Sequence, residues 1–236
     1  MKLLILYSCL SSLVIGLLSP IIHANEYSEP YAPIDRQLLQ SIQHLLPTQD
    51  WQVIALVKGQ LNNDGHDDYA LVMEKTLKSS TSPARHLLVL LSDEDEFNLG
   101  AYRLIISSHY KHFIPPANTE RGDPLAHIAI REGLLELRFQ RRSASHFGSD
   151  NKNISVTYNF KRQPGHFALN HWQYYSVNPR SGLFSEQIIN LEKGQQETTS
   201  GSMSSPKHQK SHTPFKTNKT WCPGDIKDVF EFRPER

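Results

Sequence analysis

Cysteine is nearly absent from this 236-residue chain, which has only Cys9 and Cys222. Cys9 lies inside an N-terminal segment built like a cleavable leader, so the mature chain keeps Cys222 alone. An intramolecular disulfide is thereby excluded, and core burial must hold the fold. An excess of charge of either sign is missing as well. The chain has 25 Lys and Arg against 24 Asp and Glu. Loss of Lys2 with the leader leaves 24 against 24. That balance argues against electrostatic capture of nucleic acid. Past the leader there is no apolar run long enough to span a bilayer. Catalytic signatures are missing too: there is no Gly-x-Ser-x-Gly elbow, no His-Glu-x-x-His pair and no cysteine cluster.

The leader covers residues 1–24. Lys2 supplies the positive end, Leu3 to Leu18 form the apolar stretch, and Ile22-His23-Ala24 ends on a small residue. This pattern predicts export to the periplasm or the extracellular space. Residues 25–33 are polar, with Pro30 and Pro33, and are expected to form an exposed leader to the domain. Ile34, Leu38, Leu39, Ile42, Leu45 and Leu46 recur at helical spacing and predict one N-terminal amphipathic helix ended by Pro47.

From Trp51 the period changes to that of strands. Nine are expected: 51–58, 68–74, 86–91, 102–107, 125–131, 134–140, 154–161, 166–175 and 187–191. Glu132-Gly133 and Gln163-Pro164-Gly165 mark two hairpins. No stretch between strands suits a crossover helix, so the order should be antiparallel. The expected fold is a mostly β domain over residues 34–192, an antiparallel meander in one curved sheet, with the N-terminal helix against it. Residues 193–220 are rich in Lys, Ser, Thr and Gln and poor in apolar side chains, which predicts a disordered linker. Residues 221–236 regain Trp221, Ile226 and Phe232 and should dock on the domain or on a partner. His171-Trp172-Gln173-Tyr174-Tyr175 reads as one strand with two partly covered faces.

The most specific stretch is Gly59 to Glu74, GQLNNDGHDDYALVME. Two apolar strands flank a carboxylate-rich loop, and Gly65 can take the left-handed conformation a sharp turn needs. Calcium loops place oxygen ligands at alternate positions of such a turn. In that register Gln60 stands first, Asn62 third, Asp64 fifth, the His66 carbonyl seventh and Asp68 ninth. Gln60 brings a neutral oxygen to the first position, and Leu71 stands where an EF-hand carries a bidentate glutamate. Any calcium affinity should therefore be weak. The competing reading is a hairpin loop of Asx turns holding no ion.

This run resembles the single D-x-N-x-D-G-x-x-D-[FY] element of FG-GAP-like repeats and of a broad group of secreted bacterial proteins of unknown function. The resemblance implies a mostly β domain opened by a strand, this loop and a second strand. With one copy of the element, an integrin-like propeller is not expected. The functional expectation is an exported, non-catalytic binding or interaction protein with a protein or cell-envelope partner and no catalytic residues. The alternative is a secreted metal-dependent or acid/base hydrolase using the Asp64–Asp68 region with His66 or His127. His109 and His112 suggest zinc by their short spacing, but nothing else in the sequence completes a ligand set. Cys222, between Trp221 and Pro223, reads as an inert or docking residue.

Overall fold

The computed structural model describes residues 36–46, 50–76, 83–94, 102–117, 122–142 and 152–235. Residues 1–24, expected as a leader, residues 25–33, expected to be exposed, and most of the Lys75–Arg85 loop lie outside these residues. The described chain is mostly β, with two antiparallel sheets and no closed barrel. The N-terminal segment forms a short helix, α1 (Arg36–Ile42), continued by a 3-10 turn over Gln43–Leu45. No described helix is long and apolar enough to cross a membrane.

The first sheet is a four-stranded meander: β1 (Trp51–Gly59), β2 (Asp68–Lys75), β3 (Arg85–Glu94) and β4 (Tyr102–Tyr110). The central strands β2 and β3 are apolar on both faces because both faces are covered. On one face Leu71, Met73, Leu88 and Leu90 pack with Ile42, and Leu45 and Leu46 lie against them. On the other, Ala70, Val72, Leu87 and Val89 join the main core between the sheets.

The second sheet runs in order β5 (Leu125–Arg131), β6 (Leu134–Arg141), β7 (Asn153–Gln163), β8 (His166–Val177), β9 (Leu183–Asn190), β10 (Gln195–Ser202) and β11 (Gln209–Pro214). The single curved sheet expected from the sequence is therefore two. The meander breaks after β4, where Phe113 and Ile114 enter the core between the sheets. Phe113 meets Phe139, Tyr158 and Phe160 edge-on, at centroid distances of 5.6, 5.7 and 5.5 Å. Such edge-to-face contacts suit the aromatic quadrupole. β1 and β5 meet closely at Gly59, where an added Cβ would lie 2.7 Å from Ile130.

The segment expected to be disordered is instead part of this sheet. β10 pairs along its length with β9, and β11 pairs with β10. Composition misleads here because an outer strand can be held by its backbone ladder with little apolar burial. All six residues of β11 are exposed, whereas Thr199 of β10 is buried. The last residues dock on the chain's own core: Trp221, Ile226, Val229 and Phe230 are buried between the sheets. Leu169 N–H donates to the Trp221 carbonyl at 2.7 Å, and the Tyr158 hydroxyl donates to the Val229 carbonyl at 2.6 Å. In β8, Trp172 is fully buried, and Arg233 lies 4.1 Å over the Tyr174 ring.

Candidate functional site

The β1–β2 loop is tight because it closes on itself. Asn63 and Gly65 take left-handed φ values of 57° and 88°. Asp64 Oδ1 accepts the His66 amide at 2.8 Å, and Asn62 Nδ2 donates to Asp64 Oδ2 at 2.7 Å. Asp68 has no exposed surface. Its Oδ2 accepts the Leu61 amide at 2.6 Å, and its Oδ1 accepts the Ser92 amide at 2.9 Å. Burial pushes the Asp68 carboxyl up from its ordinary range, and the two amide bonds oppose that rise. The Ser92 hydroxyl donates to the Asp67 carbonyl at 2.7 Å, so β3 is clasped to the loop twice.

These bonds bear on the five residues of the calcium register. Asp68 spends both carboxylate oxygens on backbone amides and cannot turn outward without stranding them. Asp64 is then the only charged side chain left in the set of Gln60, Asn62, Asp64, His66 and Asp68. In this arrangement Asp68 faces the protein interior, and any calcium would have to be held mainly by Asp64 and the neutral oxygens of the loop. Among the described residues, no three His, Cys, Asp or Glu side chains are placed to hold a metal ion.

The groups considered for hydrolysis have separate partners. Asp67 pairs with Lys58 at 3.0 Å on the surface, and His127 lies 3.8 Å from Glu136 on β6. Asp68 is occupied as above. Cys222 is partly exposed; burial and the neighbouring Asp225 raise its thiol pKa, which disfavours a nucleophilic thiolate.

Two features went unread in the sequence. The first is an imidazole pair at the end of the four-stranded sheet. His86 is the second residue of β3 and His109 the last but one of β4, and the register sets His109 opposite Leu88. His86 Nδ1 and His109 Nε2 lie 2.8 Å apart, and Trp51 packs on His86 with centroids at 4.0 Å. Burial, His109, Lys111 and His112 lower the His86 pKa to about 4, and burial with Lys111 lowers that of His109. The HYKH spacing drew attention to His109 and His112. The partner that matters, His86, is remote in sequence and becomes a neighbour only through strand pairing.

The second is a cleft of about 300 Å³ beside the C-terminal segment, lined by residues that include Arg85, Lys111, His112, Phe113, Lys227 and Phe230. Arg85 is almost fully buried and anchors one wall. It donates from Nε to Glu74 at 2.7 Å and grips both Asp123 oxygens at 2.6 and 2.8 Å. Asp228 turns its carboxylate onto the Phe230 amide at 2.8 Å. Lys111 and Lys227 outnumber Asp228 at the rim, which leaves it net cationic over an apolar floor. No protein-family model matches this chain, and no curated protein or solved structure matches it either.

Proposed function

We propose that the protein is an exported, non-catalytic binding protein whose ligand seat is the cleft beside the C-terminal segment. The observation that carries this reading is the cleft itself, with three chain segments meeting around an apolar floor and a cationic rim. Its volume of about 300 Å³ lies at the lower end of small-ligand sites. The bidentate Arg85–Asp123 pair and the Tyr158–Val229 bond pre-form its walls, which lowers the ordering cost of binding. The ligand class that fits is a compact anion with an apolar part, free or presented by a protein or envelope partner. The leader at residues 1–24 supplies the export expectation.

In this reading the FG-GAP-like loop is structural, and calcium adds little to it. The hydrolytic alternative is weaker because Asp67, Asp68 and His127 have structural partners. Loss of a measured turnover in Asp67→Asn would favour it. The binding reading is tested with an anilinonaphthalene sulfonate probe, an anion with an apolar body. The account expects saturable binding that Lys111→Glu with Lys227→Glu weakens roughly tenfold, with an unchanged melting temperature. Equal binding by the wild type and the double variant would reject the cleft as the seat.

A further inference from the structure

We propose that His86 and His109 form a two-imidazole seat for a divalent transition metal with tetragonal preference, copper(II) above all. The argument begins with geometry. The two nitrogens are 2.8 Å apart in a hydrogen bond between side chains of the adjacent strands β3 and β4, where His109 stands opposite Leu88, two residues along from His86. Metal–imidazole bonds of about 2.0 Å at right angles require donor nitrogens about 2.8 Å apart. Tetrahedral coordination would need a wider spacing. The hydrogen-bonded pair thus spans the same distance as the cis edge of a square-planar site, and the rings must tilt to turn both lone pairs from each other onto one metal.

Protons balance without an external acid or base. In the neutral pair one ring donates its N–H to the other. When the metal enters, that hydrogen moves to the donor ring's remaining nitrogen, leaving two lone pairs on the metal side. Neither ring needs to lose a net proton, and water completes the coordination. Imidazole ligands suit copper, nickel and zinc, and copper binds most tightly along the divalent series. Lys111 is the charged neighbour that acts on His86. The Lys111 charge opposes a bound cation, so micromolar rather than nanomolar affinity is expected. Calcium and magnesium, which prefer oxygen, should not bind here.

Trp51 offers a built-in reporter, since its ring packs on His86 with centroids 4.0 Å apart and the planes tilted by 35°. The test titrates the full chain with copper(II) chloride, following tryptophan fluorescence and, in parallel, the heat of binding. The expected result is one saturating equivalent that quenches the fluorescence. His109→Gln and His86→Gln should each weaken it roughly 100-fold while leaving the circular dichroism spectrum unchanged. Trp51→Phe should remove most of the quench but keep the heat. A His208→Ala, His212→Ala chain should bind like the wild type. Unchanged affinity in His109→Gln, or loss of binding in the β11-side variant instead, would overturn the proposal. His109→Gln is the safer variant because His109 is exposed at the end of its strand.

Discussion

The Asp64–Asp68 loop and the His86–His109 pair are both places where ionisable side chains gather, yet they are opposites. In the loop the conspicuous carboxylate, Asp68, is fully buried and each of its oxygens holds a backbone amide. At the pair, two imidazoles meet near the surface and bond chiefly to one another. The first arrangement spends its polar atoms on the fold. The second ties two ring nitrogens to each other near the surface rather than to the backbone. A dense motif in sequence can thus serve as a clasp, while chemistry can arise where strand pairing joins residues that are far apart in the chain.

The largest effect should come from Asp68→Ala, which leaves the buried amides of Leu61 and Ser92 without acceptors. Chemical denaturation should show a loss of about 3 kcal/mol. A loss below about 1 kcal/mol would mean the clasp is not essential. Asp64→Ala removes the acceptor for the His66 amide on the surface and should cost about 1 kcal/mol, read in the same assay.

The imidazole pair should contribute a pH dependence instead. Because the folded His86 pKa lies near 4, below the ordinary value of 6.5, the unfolded chain takes up its proton first as pH falls. Stability from neutral His86 is complete above about pH 6.5 and is lost progressively toward pH 4. In chelator, the wild-type melting temperature should therefore fall more steeply across that window than that of His86→Gln. Parallel curves would remove the pair from the account. The smallest effect belongs to the exposed Lys58–Asp67 pair, where Asp67→Asn should shift stability by about 0.5 kcal/mol or less.

Much of the fold was legible because its signals are local. All nine strands expected from apolar runs and alternation are present, and the Glu132-Gly133 turn has the two positive φ values, 52° and 75°, of a type I′ hairpin. The division into two sheets was not legible, since it depends on Phe113 and Ile114 leaving the strand pattern to fill a shared core. β10 and β11 escaped because backbone pairing at the outer side of a sheet leaves little hydrophobic periodicity. The loop's position and tightness were readable from Asn, Asp and Gly. The destination of Asp68 was not, because Ser92 lies on a different strand. The cleft was hidden for a similar reason: Arg85, Lys111 and Lys227 come together only after the C-terminal segment folds back.

The central claim, that the carboxylate-rich loop is a clasp closed by Asp68, is tested most directly by denaturing the wild type and Asp68→Ala in EDTA and again in millimolar calcium. The account predicts the same loss of about 3 kcal/mol in both buffers, with wild-type curves that nearly coincide. A wild type stabilised by calcium, with the Asp68→Ala deficit appearing only when calcium is present, would contradict it and make Asp68 a ligand.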